Sequence, residues 1–174
     1  MSIFSHNIYE NVRTRVIVTY DGKLLLLEPL DSESGWRLPG GGLEYNESLM
    51  ECGEREVFEE TAIKIKATSV AFLREWVVPK YCIVPDSQNS IGYGLEVYLY
   101  AHPVTDQLQP RAENPDAQKP HWIPLALVPA LPLWPKELKT LAPYLASEQM
   151  PCGVPSFVSQ LESPDAPAPE VIFA

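Results

Sequence analysis

The chain has 174 residues, 45% of them apolar and 21% charged, which fits one domain of ordinary size able to fill a hydrophobic core. Thirteen Lys and Arg against 23 Asp and Glu leave a net charge of −10. That balance disfavours binding to duplex nucleic acid, whose phosphate backbone calls for a basic stripe. No apolar run reaches the roughly 18–20 residues of a membrane helix, and the stretch from Met1 to Arg15 lacks the pattern of a secretory signal. A cytoplasmic location without membrane association is expected. Cys52, Cys82 and Cys152 are widely spaced and form no CxxC pair, so reduced structural thiols are expected rather than disulfides or a zinc site.

In chain order, Val12 to Tyr20 alternates and is β-branched, Asp21-Gly22 is a two-residue hairpin signal, and Lys23 to Glu28 is the returning strand. A loop over Pro29 to Gly35 leads to Trp36-Arg37-Leu38-Pro39 and three glycines, Gly40 to Gly42. Asn46 is the expected cap of a helix over Glu47 to Thr61. Ile63 to Trp76 reads as one or two strands, and Gly92 to His102 as another. His121 to Ile123 is a short strand, followed by short helices over Leu125 to Leu131 and Trp134 to Leu145. Of the 18 prolines, only Pro29, Pro39, Pro79 and Pro85 precede residue 100, so loops are expected to concentrate in the second half. The domain is expected over residues 1–148, with a loosely packed proline-rich tail over 149–174. Strands on either side of one acidic helix suggest an α+β or layered α/β/α domain.

That helix carries the chemistry. Between Gly41 and Ile63 stand seven carboxylates and a single base, Arg55. Such density repels itself unless something cationic lies beside it. Glu56, Glu59 and Glu60 stand at i, i+3 and i+4, so one helical face carries all three. Three oxygen donors there suit a hard divalent cation such as Mg²⁺ or Mn²⁺. Glu51 and Glu54 fall off that face and read as solvated charges. The glycines upstream permit close backbone approach to a metal or a phosphate. Loop and helix together suit the transfer of water onto a pyrophosphate, with the metal or a carboxylate activating that water.

Gly41-x5-Glu47-x7-Arg55-Glu56-Val57-x-Glu59-Glu60-x-Ala62-Ile63 resembles the 23-residue Nudix box, with Ala62 standing where the family usually has glycine. Trp36 to Gly41, Glu44 and Trp122-Ile123-Pro124-Leu125 extend the likeness to about residue 145. The resemblance, to a MutT-like hydrolase of the ADP-ribose pyrophosphatase type, implies an α/β/α sandwich around a mixed β-sheet. It also implies hydrolysis of a nucleoside diphosphate linked to another group. By the same resemblance Glu56, Glu59 and Glu60 hold the metals and Gly40 supplies a carbonyl ligand. Arg55 orients a neighbouring glutamate, and Gly41 and Glu47 support the frame. If position 62 is left-handed, alanine there costs on the order of 1 kcal/mol.

The flanks leave the substrate open. Pro79, sixteen residues after Ile63, resembles the marker of ADP-ribose pyrophosphatases, and Tyr81, two residues later, that of diadenosine polyphosphate hydrolases. Trp76, Tyr81 and Tyr93 are candidates to stack on a base or ribose. Arg74 is a candidate phosphate contact, or else a strand-edge charge. Glu96 is a candidate late ligand or base, or else a solvated strand residue. His102 and His121 read as structural. The expected partner is a small nucleotide, and a homodimer is compatible with the sequence. Alternatives are a nucleoside triphosphate or diadenosine polyphosphate pyrophosphohydrolase and, in another class, a noncatalytic nucleotide sensor.

Overall fold

The computed structural model describes residues 12–31, 35–77, 93–106, 108–112, 117–135, 138–145 and 156–160, with the backbone alone for Trp76, Val77, Tyr93, 140–143 and 156–160. Strands β1 (Val12–Tyr20) and β2 (Lys23–Leu27) form the opening hairpin. Its turn places Asp21 at φ 49° and Gly22 at φ 69°, the pair of positive values that matches the twist of the flanking strands. Helix α1 (Leu49–Thr61) follows, then β3 (Ile65–Val77), β4 (Tyr93–Pro103) and β5 (Pro120–Pro124). A 3-10 helix (Leu125–Ala130), α2 (Leu138–Leu145) and β6 (Ser156–Gln160) complete the described chain.

The six strands lie in the order β5-β2-β1-β4-β3-β6. The β1/β4 and β3/β6 pairs are parallel and the other three antiparallel, so the sheet is mixed. Strand alternation sends side chains to opposite faces, and each face has its own core. Val16, Val18, Val97 and Leu99 pack with Val57 of α1, while Ile17, Phe72, Tyr98 and Tyr100 pack with Leu138 and Leu145 of α2. The four leucines of β2 are all buried because this strand is covered on both sides, which explains an apolar run without alternation. An α/β sandwich is the result. Among the described residues no helix is long and apolar enough to cross a membrane.

Several boundaries differ from expectation for local reasons. Helix α1 starts two residues later than expected, and its cap is Ser48, whose hydroxyl accepts from the Glu51 amide while Glu51 reaches back to the Ser48 amide. This reciprocal pair satisfies two donors that the first turn leaves over. Asn46 instead takes φ 67° in the preceding turn. Glu51 is therefore a capping partner, and Glu54 accepts from the Ala67 amide and pairs with Lys66; neither is merely a solvated charge. Strand β3 is one strand, with register shifts against β4 between Ala67 and Ser69 and between Val70 and Phe72. Ser156–Gln160, expected in a loosely packed stretch, pairs with β3 along the edge of the sheet.

Candidate active site

The glycine loop runs beside the first half of β1. Val16 donates to the Pro39 carbonyl at 2.8 Å, Thr14 to the Gly41 carbonyl at 2.9 Å, and Leu43 to the Val12 carbonyl at 3.0 Å. Two glycines leave room that a side chain would take. Gly40 sits at φ 139°, and a Cβ there would collide with the Thr14 carbonyl. At Gly41 a Cβ would run into the carboxylate of Glu56, so the absence of a side chain lets this glutamate lie against the loop.

Helix α1 faces that loop with its charged stripe. Arg55 donates through Nε and Nη2 to both oxygens of Glu47, at 3.0 and 2.7 Å, a two-pronged geometry that a guanidinium matches well. Its Nη1 donates to Glu56 at 2.9 Å and to Glu59 at 3.3 Å, and Nη2 also reaches the Gly42 carbonyl at 3.1 Å. Glu47 accepts in addition from the Glu44 amide. The hydrogen bonds from Arg55 hold the Glu47 carboxyl below its ordinary pKa, and those to Glu47 raise that of Arg55 further. Cys52, on the buried side of the helix, bonds to Thr14, and burial pushes its thiol up to about 11, which makes it inert. Cys82 and Cys152 lie outside the described residues.

Glu60 is half-buried. Its carboxylate accepts from the Gly40 amide at 2.8 Å. Burial raises its pKa to about 7, against the lowering effect of the Gly40 bond and with help from the charge on Glu56. Glu56 is half-buried and Glu59 exposed. Among the described residues no three acidic, His or Cys side chains close on one point, since Glu56 and Glu59 turn toward Arg55 and Glu60 toward Gly40. The donors nonetheless fit a hard divalent ion: oxygens only, on one helical face, with burial and the charge on Glu56 opposing ionisation of Glu60.

On β4, Glu96 is neither solvated nor part of the glutamate stripe. It is buried and accepts from Arg15 Nε at 3.2 Å, Arg74 Nη1 at 3.0 Å and the Tyr98 hydroxyl at 3.0 Å. Burial pushes its carboxyl up, but the two guanidinium groups and the bonds from Arg74 and Tyr98 outweigh this and hold it below the ordinary value. Arg74, its cross-strand neighbour, is 4% exposed at its side chain and lies 5.8 Å from the Trp134 ring, so it is no strand-edge charge. Trp76 lies on β3 with its backbone opposite Gly94. Tyr81 and Pro79 lie outside the described residues. His121 pairs with Glu28 at 3.0 Å, away from the glutamates. Sequence reasoning missed Arg15. Its signal was a basic residue at the strand parity of Ile17, where an apolar side chain is the ordinary occupant.

A family model for the Nudix domain matches residues 10–144. Over 70 residues, 40% of this chain, the sequence is 31% identical to the phosphatase NudJ of Escherichia coli K12; that span is 46% of NudJ, so the chain matches about half the length of this relative. The fold is similar to that of a MutT protein of Bacillus halodurans, with a TM-score of 0.61 and 20% identity over 88% of this chain and 91% of that one. It is also similar to that of an ADP-ribose pyrophosphatase of Streptococcus suis, with a TM-score of 0.55 and 18% identity over 86% and 99%. At these identities the two structures speak for the fold alone. The family match spans the glycine loop, Arg55 and the glutamates of α1 together with strands β1 to β5, and the chain belongs to the Nudix family.

Proposed function

We propose that this chain is a metal-dependent hydrolase that cleaves the pyrophosphate bond of a nucleoside diphosphate derivative, with ADP-ribose or a nucleotide sugar as the favoured substrate. The observation that carries this reading is the single helical stripe of Glu56, Glu59 and Glu60, ordered by Arg55 and set against a glycine loop. Glu56, Glu59 and Glu60 would hold Mg²⁺ or Mn²⁺. The Gly40 carbonyl, which already accepts from Arg15, would join through its second lone pair. Such an ion supplies charge neutralisation at phosphate oxygens and lowers the pKa of water.

The residues of the chain do the rest. Arg55 keeps Glu56 turned to the loop and spreads one positive charge over carboxylates that otherwise repel. Glu47 holds Arg55 in place through both of its carboxylate oxygens. Water attacks one phosphorus, the bridging P–O bond breaks, and the leaving phosphate carries away the bridging oxygen.

Pro79 supports an ADP-ribose-like substrate and Tyr81 a dinucleoside polyphosphate. A panel of ADP-ribose, sugar nucleotides, dinucleoside polyphosphates and nucleoside triphosphates, each with Mg²⁺ and Mn²⁺ and read by phosphatase-coupled phosphate release, separates them. Turnover of ADP-ribose or a sugar nucleotide above the rest is the expected result. Glu59→Gln and Glu60→Gln are expected to lower that turnover at least roughly tenfold with the fold intact. Unchanged turnover in both variants would remove the glutamates from the site, and silence across the panel would favour a nucleotide sensor.

A further inference from the structure

Gly40 is gripped from both layers of the sandwich. Its amide donates to Glu60 of α1, and its carbonyl accepts from Arg15 Nη1 at 2.7 Å. Arg15 shares strand parity with Ile17, which lies in the core beneath α2, so the two bonds come from opposite faces of the sheet. Arg15 is itself anchored. Its Nε donates to Glu96 Oε1, while Glu96 Oε2 takes Arg74 and Tyr98. All four members of this network are at least half-buried, with Arg15 16% and Glu96 8% exposed at their side chains. No other residue fits at Gly40, because its backbone conformation and its approach to Thr14 leave no room for a side chain. None of Arg15, Arg74, Glu96 and Tyr98 falls within the 23-residue motif.

We propose that Arg15, oriented by Glu96, is a positioning residue for the hydrolytic site. It sets the Gly40 carbonyl and, through the Gly40 amide, the carboxylate of Glu60. This rests on the hydrolase reading above. A planar fork is needed, since one nitrogen serves the carboxylate and another the carbonyl; a lysine ammonium keeps the charge but offers no such fork. The charge and the clamp have opposite consequences for a cation. Removing a positive charge near Glu60 strengthens cation binding, whereas releasing Gly40 weakens it.

The test uses the full chain with Arg15→Lys and Arg15→Gln. Mn²⁺ affinity is read from the electron paramagnetic resonance signal of the free ion, and kcat and KM are measured on the best substrate of the panel at saturating Mn²⁺. Loss of an outer partner that orients a ligand typically costs about tenfold or more in metal affinity or activity. Both variants are therefore expected to bind Mn²⁺ about tenfold more weakly and to lose kcat by a similar factor, with KM within about twofold. Arg15→Lys preserves the charge beside buried Glu96 and carries the test if Arg15→Gln folds poorly. Wild-type Mn²⁺ affinity and kcat in Arg15→Lys, or tighter binding in Arg15→Gln, overturns the positioning role while leaving the hydrolase reading standing, and a lowered melting temperature alone does the same. A wild-type chain that takes up no Mn²⁺ and hydrolyses nothing on the panel overturns both.

Discussion

At Glu60, enclosure and neighbouring charge work against ionisation, and this has a consequence for stability. Its folded pKa, about 7, stands above the ordinary carboxyl value of 4.5. The folded state therefore binds this proton more tightly than the unfolded chain does. Between about pH 4.5 and 7 the native state holds more protons, so stability falls as pH rises through that window, and the loss is complete above it. A shift of this size corresponds to about 3 kcal/mol at full effect. Glu60→Gln keeps an acceptor for the Gly40 amide but cannot ionise. In EDTA the variant is expected to gain on the wild type by about 2–3 kcal/mol between pH 5 and pH 8. Urea denaturation at the two pH values measures this, and parallel curves for both proteins would refute it.

Helix α1 shows the same tension between local preference and local demand. It ends at Ala62, a left-handed residue at φ 57° and ψ 13° whose amide donates to the Phe58 carbonyl at 2.7 Å. The bond satisfies a terminal carbonyl, but alanine occupies a conformation that glycine adopts without steric cost. Ala62→Gly is expected to stabilise the protein by up to about 1 kcal/mol, or about 2–4 °C in melting temperature for a chain of this size. A thermal scan that shows no change or a loss would refute the strain. The glutamate stripe, Arg55 and the glycine loop were legible because they are local, within one turn of helix or one tight loop. The cap was read at Asn46 and lies at Ser48, because both side chains can cap a first turn and only the backbone decides between them. The Arg15 and Glu96 contact was not legible, for it joins residues 81 apart through the parallel β1/β4 pairing. The register shifts in β3 likewise belong to the sheet, and the pairing of β6 joins the far end of the described chain to β3.

Across the whole molecule the excess of ten negative charges concentrates part of its repulsion on one helix, and the fold carries that load while Arg55 alone of the α1 residues supplies a cation. A ligand that binds only the native state stabilises it by RT ln(1 + [L]/Kd), about 2.7 kcal/mol at a hundredfold excess over Kd. For a chain of this length that is roughly 5–10 °C in melting temperature. Mg²⁺ or Mn²⁺ is therefore expected to raise the melting point by several degrees, and EDTA to reverse it. General screening of the net charge also stabilises an acidic protein, so NaCl at matched ionic strength is the necessary comparison. Screening acts on every exposed carboxylate, whereas a held ion depends on the stripe. Glu59→Gln removes one negative charge out of 23 acidic residues and barely alters screening, yet it removes a ligand. If the ion sits on α1, this variant loses most of the divalent increment and keeps the increment due to NaCl. Equal increments from the divalent salt in wild type and variant would place the stabilisation on the acidic surface as a whole and take the metal away from the helix.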